Sequence, residues 1–146
     1  MRWAPSWADR RIDMRYRTLG KTGLDVSEIV FGGGAVGGLL IRADDDTRRQ
    51  AVTRALEAGV NWIDTAPMYG EGASEEAIGW LLAERSPSER PHIATKALLN
   101  PEAGDLSGQV ERSLVESLKR LQMNSVDLLQ VHNLIYGERG RGNGLS

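Results

Sequence analysis

Between Asp44 and Gly59 the apolar positions Ala51, Val52, Ala55 and Leu56 recur at helical spacing, and the run that follows, Asn61–Thr65, is short and β-rich. The first pattern predicts a helix that opens in the cluster Asp44, Asp45, Asp46, Thr47, with Gln50 placed to complete a capping box from Thr47, and that stops at Gly59. The same alternation repeats downstream. Ser74 is the expected cap of a second helix, with Glu75 and Glu76 at its positive end and Ile78, Leu81 and Leu82 toward a core; it ends by Pro87. His92–Lys96 reads as a strand. Ser107 is the expected cap of a third helix, with a stripe of Val110, Leu114, Leu118 and Leu121, and Val126–His132 is the strand after it. Ahead of all these, Ser27–Phe31 forms a β-rich run stopped by glycines. Two extended pieces, Arg15–Gly20 and Leu24–Val26, flank a Gly-containing turn and predict a hairpin.

The order is hairpin, then βαβαβαβ. Strands joined through single helices run parallel, with right-handed connections. The strand ends fall near Gly32, Asp64, Lys96 and His132, spaced by 32, 32 and 36 residues. A βα period of this length suits an α/β fold of either the (β/α)8 barrel or the doubly wound kind. The chain divides into residues 1–13, read as an unstructured extension with Met14 as a candidate start, a body over 14–136, and a Gly-rich charged tail over 137–146.

Composition narrows the function. The 146 residues are 40% hydrophobic and 26% charged, ordinary for a globular domain, and the net charge of −2 offers nothing to nucleic acid or to an anionic membrane. With no cysteine, thiol catalysis, disulfides and cysteine metal sites are excluded. No stretch approaches the ~20 apolar residues of a membrane span, and the first thirteen residues lack a signal peptide's apolar run, so a cytoplasmic setting is expected.

Period-two alternation sorts each strand into two faces. Ile63, Ile93, Leu129 and Val131 share the parity of the helix-facing side; Asp64, Lys96 and His132 share the other, each at or near the carboxyl end of its strand. In parallel βα folds that end is the functional rim. Tyr69, in the loop Ala66–Gly72, lies on the same rim. Singly, each has a plainer reading: a surface charge, a packing tyrosine, a core histidine. Together they suit delivery of a proton to a developing alkoxide. A free phenol, with a pKa of about 10, is a weak acid at neutral pH; a neighbouring ammonium stabilises the phenolate left behind. An aspartate serves as the ammonium's counter-ion, and an imidazole can hydrogen-bond the substrate oxygen. His92 opens its strand at the opposite end and is assigned no function.

The stretches RYRTLGKTGLDVSEIVFGGG, ALEAGVNWIDTAPMYGEGASEEAIGWLL, HIATK and SLVESLKRLQMNSVDLLQVHN resemble the aldo-keto reductase family, over about Arg15 to Asn133. The resemblance implies a (β/α)8 barrel plugged at its bottom by an N-terminal hairpin, of which this chain carries the first four βα strands. It further implies NADPH or NADH as cofactor and a small aldehyde or ketone as substrate. Carried over by motif, Tyr69 resembles the proton donor, Lys96 its partner, Asp64 the residue paired with that lysine, and His132 the residue that orients the carbonyl. Gly33 and Gly34, together with Asp64, lie where the family brings its chain close to the nicotinamide.

Gly32, Gly34 and Gly37 also spell G-x-G-x-x-G, the fingerprint of another dinucleotide fold. No helix is expected to start at Gly37, and Asp64 comes too late to be the fingerprint's acidic residue. In the family, most cofactor contacts come from the fifth to eighth strands, so this chain is expected to be a piece of a barrel. By itself it should expose inner positions such as Trp62, Ala94 and Leu128 and self-associate through open sheet edges.

Overall fold

Four short strands lie side by side and parallel, in the order β3 (Phe31–Gly32), β4 (Trp62–Asp64), β5 (His92–Ala97), β6 (Leu128–Val131). They follow the hairpin β1 (Tyr16–Thr18) and β2 (Asp25–Ser27), which pair antiparallel. The structure is a computed structural model and describes residues 13–34, 36 and 38–135. The extension before Asp13, the tail from Tyr136 and Gly37 of the glycine motif lie outside the described residues. Spatial order equals sequence order, as in the opening strands of a barrel, and the architecture is an α/β partial barrel.

Helices α2 (Asp45–Glu57), α3 (Ala73–Ala83) and α4 (Leu106–Leu121) connect the strands. Their apolar stripes meet the outer face of the sheet in one core of Leu40, Val52, Ile63, Ala77, Ile78, Leu81, Leu82, Ile93 and Leu121. Ile63 and Ile93 thus face the helices, as their parity requires. Helices α3 and α4 approach closely at Gly79, where a Cβ would come within 2.9 Å of the Leu121 carbonyl carbon.

Several local expectations are corrected. Ser27 belongs to the hairpin, leaving β3 only two residues long. Its hydroxyl donates to Ile29 O at 2.7 Å, and its N–H donates to Asn61 Oδ1 at 2.7 Å, turning the chain before the sheet begins. The cap of α2 is Asp44, which accepts from Thr47 N at 2.8 Å; Thr47 and Gln50 lie inside the helix. The cap of α3 is Gly72, in the left-handed region at φ 97°, and Ser74 is buried in the first turn. Asp105, not Ser107, caps α4 through Gly108 N. Wherever an aspartate and a hydroxyl competed, the carboxylate took the cap, because a charged acceptor binds the N–H dipoles more strongly. A one-turn helix, α1 (Leu39–Arg42), follows the glycines where none was expected; three adjacent apolar residues are too few to show a period.

Trp62 and Ala94, expected to be exposed, are buried at 6% and 0%. Ala94 sits between Asp64 and Leu128 in register, and the Trp62 ring lies 5.8 Å from that of His92. Leu128 is half-buried. Val131, of helix-facing parity, is 47% exposed, since no helix of the described residues follows β6.

The hairpin packs at the amino ends of the strands. Asn61, just before β4, donates to Asp25 O at 2.8 Å, and Tyr16 donates to Gly59 O at 2.8 Å. His92 lies at this same end, where Nδ1 meets Asp127 Oδ1 at 2.8 Å. The opposite rim is left to the loops after β3, β4, β5 and β6.

Candidate active site

Asp64 ends β4 and Lys96 is the penultimate residue of β5, both on the inner face. Lys96 is 8% exposed, and its ammonium is held by three acceptors: Asp64 Oδ1 at 2.5 Å, Thr65 O at 2.9 Å and Tyr69 Oη at 3.2 Å. An ammonium has three donors and no acceptor, so this shell satisfies it completely. The Tyr69 ring also lies 4.8 Å from Lys96 Nζ at its centroid, within cation–π range.

His132 follows β6 and donates its backbone N–H to Ala97 O at 2.8 Å, which continues the ladder past the assigned strand. Its ring stands edge-on to that of Tyr69, with centroids 6.0 Å apart and planes at 87°. Among the described residues, Nδ1 of His132 is buried with no hydrogen-bond partner. Asn133 then clasps the β5 loop, accepting from Leu99 N at 2.9 Å and donating to Leu99 O at 2.7 Å. The four residues expected on one rim are therefore adjacent.

The glycines behave differently from one another. A Cβ on Gly33 would meet Ser74 Oγ at 2.5 Å and Asp64 O at 3.2 Å, so its bareness is required by packing within the chain. Gly34 is freer: a Cβ there would approach Tyr69 Cζ at 3.5 Å, leaving space along one side of the phenol ring. Asp64's side chain is committed to Lys96 rather than held open.

What fixes the rim lies on the other face of the strands, and the sequence reading missed it. Thr65 and Thr95 flank Asp64 and Lys96 with opposite parity and are fully buried. The Thr65 hydroxyl pairs with Ser74 Oγ at 2.9 Å, and that of Thr95 donates to Glu75 Oε1 at 2.6 Å. Arg120 of α4 donates to the other oxygen of Glu75 at 2.6 Å. Glu75 is fully buried, and both its oxygens are bonded, as an interior carboxylate demands. The first turn of α3 thus clamps β4, β5 and α4 together. It also receives the Tyr69 loop, since Ser74 N donates to Tyr69 O at 3.2 Å. A second missed residue is Gln130, whose Nε2 donates to Asp64 Oδ2 at 3.2 Å. It shares the parity of Lys96 and His132, which was the available signal.

Among the described residues, no group of acidic and histidine side chains could hold a metal ion, and no helix is long and apolar enough to cross a membrane.

A model of the Aldo/keto reductase family matches residues 28–137, three quarters of the chain. Aldo-keto reductase YhdN of Bacillus subtilis is 36% identical over 82% of this chain and 38% of its own length. L-galactose dehydrogenase of Arabidopsis thaliana is 37% identical over 83% of this chain and 39% of its own. Among solved structures, the holo form of aldo-keto reductase AKR11C1 from Bacillus halodurans superimposes with a TM-score of 0.67 at 28% identity, covering 84% of this chain and 41% of that one. The chain spans about two fifths of the length of these relatives. Sequence, fold and the extent of the match agree, and the chain belongs to the aldo/keto reductase family.

Proposed function

We propose that this chain carries the proton-delivering part of an NAD(P)H-dependent carbonyl reductase, acting on an aldehyde or ketone in the cytoplasm. One observation carries the reading: Lys96 donates to the phenol oxygen of Tyr69 while its other two donors are taken by Asp64 and Thr65. Because the Tyr69 oxygen already accepts from Lys96, its own O–H is left to donate elsewhere, toward a substrate oxygen. As that proton leaves, negative charge develops on the phenol oxygen against a fixed ammonium, which is electrostatic stabilisation prepared in advance. Asp64 is the counter-ion of the buried ammonium. His132, edge-on to Tyr69, orients the carbonyl oxygen.

NADPH or NADH, when bound, supplies the hydride that reduces the carbonyl carbon. The side of Tyr69 left bare at Gly34 fits such a group, and the backbone at Gly34 would lie against its nicotinamide end, with Gly33 packed behind it on Ser74. The proton from Tyr69 completes the alcohol, and solvent returns a proton to the phenolate.

The test is NADPH-dependent reduction of an aldehyde series by the 146-residue chain and by the same chain joined to the second half of a relative. Tyr69→Phe is expected to lower kcat by about 10²–10⁴-fold while cofactor binding, followed by fluorescence, stays near the parent value. Turnover within a few-fold of the parent would remove Tyr69 from the role.

A second reading is favoured by the apolar residues after and along β6: Val131, Leu134 and Ile135 are 47%, 71% and 80% exposed. On this view the polypeptide binds another copy or a complementary half and does not itself reduce carbonyls. Saturable micromolar binding of NADPH to the isolated chain would sink it.

A further inference from the structure

Asp64 has two carboxylate oxygens, and the reductase reading uses one. Oδ1 meets Lys96; Oδ2 accepts from Gln130 Nε2 at 3.2 Å. Gln130 is paired in register with Lys96 across the β5–β6 ladder and lies two residues before His132, so its side chain shares their face. A carboxylate only accepts, which requires the amide nitrogen, not the amide oxygen, to face Asp64. We propose that Gln130 is a positioning residue of the site. Its amide pins the outer oxygen of Asp64, keeps the inner oxygen on Lys96, and so holds the ammonium against Tyr69. For its effect on turnover the proposal rests on the reductase reading; its geometry concerns only these side chains.

The physical need is plain. Asp64 ends its strand with its side chain 27% exposed, so the carboxylate is free to rotate unless both oxygens are held. The ammonium would follow a rotating carboxylate, because its attraction to a full opposite charge exceeds its attraction to the dipole of a neutral phenol. Tyr69 would then lose its donor. A neutral amide is the suitable anchor: a second cation at position 130 would compete with Lys96 for the same charge, and an aliphatic residue would bond nothing. The contact also spans from β6 to β4 across the strand between them, tying the carboxylate of one loop end to the strand that carries His132.

The test reads the ammonium directly. The chain has three lysines, of which Lys21 and Lys119 are exposed and Lys96 is buried. In 15N-lysine-labelled protein, the Lys96 ammonium should give a slowly exchanging 1H–15N signal, because each of its protons has an acceptor. Gln130→Leu removes the anchor, and the Lys96 protons are expected to exchange with water about tenfold faster than in the parent. Gln130→Glu keeps the shape and adds a pH signature. At acid pH the introduced carboxylic acid donates to Asp64 as the amide does, and exchange stays at the parent rate. Above its ionisation two carboxylates oppose each other beside Lys96, Asp64 is displaced, and exchange departs from the parent. Packing alone would produce no such pH dependence. If Gln130→Leu does not fold, Gln130→Glu decides. Parent-like exchange at every pH in Gln130→Glu would overturn the proposal. The outcome is separable from the reductase reading, since failure of the Tyr69→Phe assay leaves these spectra unchanged, and a parent-like spectrum leaves Tyr69 untouched.

Discussion

Lys96 has three protons and three acceptors, and that count organises the rim. The side chains that make the count possible are mostly behind it. Thr65 and Thr95 turn their hydroxyls away from the rim and into the first turn of α3, so the residues beside them are aimed by bonds on the opposite face. Glu75 is the centre of that arrangement. Removing it leaves Arg120 without its carboxylate and Thr95 without its acceptor in a buried site. Glu75→Ala is therefore expected to destabilise the fold by about 3–5 kcal/mol, the range for breaking a buried pair. Urea denaturation of the parent and the variant measures this directly. A loss below about 1 kcal/mol would mean that Glu75 is hydrated and contributes only as an exposed pair does. Glu75 was legible in sequence only as an acidic residue near a helix start; its burial was not, because the partners Thr95 and Arg120 are 20 and 45 residues away.

Helix α2 shows how an element's end responds to pH. The N–H of Thr47 donates to Asp44 and, with the Thr47 hydroxyl, holds the Asp44 carboxyl below its ordinary range. A carboxyl depressed on folding stabilises the folded state above its unfolded pKa, and the contribution disappears as pH falls through the folded value. Asp44→Ala should thus lower the melting temperature at pH 7 and have progressively less effect as the solution is acidified below the ordinary aspartate range. Asp44→Asn, which still caps but carries no charge, should melt below the parent at pH 7 by less than Asp44→Ala does, and the gap to the parent should close as the solution is acidified. Thermal melts of the three proteins across that range provide the check; an effect of Asp44→Ala that does not change with pH would mean the cap's charge is irrelevant. Elements were legible where the period was long: α2, α3 and α4 lie where their stripes place them. Their caps were not, because several neighbouring side chains could each have bonded the same free N–H groups.

At the scale of the molecule, the sheet formed by the described residues has β3 and β6 at its edges, and the exposed Val131, Leu134 and Ile135 lie at the β6 side. Unpaired strand edges and contiguous apolar surface both favour association. Expressed as this polypeptide of 16.0 kDa, the protein is expected to elute as a dimer or larger species by size exclusion with light scattering. Val131→Lys should shift it toward monomer, since an edge charge blunts strand addition. A stable monomer of the parent chain at high micromolar concentration would show that the edge is adequately covered.

The strand–helix alternation, its near-constant period and the strand parity were local properties. Amino-acid sequence by itself therefore determined the α/β class, the parallel order and the rim shared by Asp64, Tyr69, Lys96 and His132. Periodicity is read along a chain, and in a parallel sheet it also says which end of each strand meets which. Tertiary structure alone decided the rest: that Trp62 and Ala94 are buried, that Ser74 and Glu75 form a clamp rather than a cap, and that Gln130 reaches Asp64. Those facts depend on pairs of side chains separated by 9 to 66 residues. Nothing in either member of such a pair records the distance to the other until the core has closed.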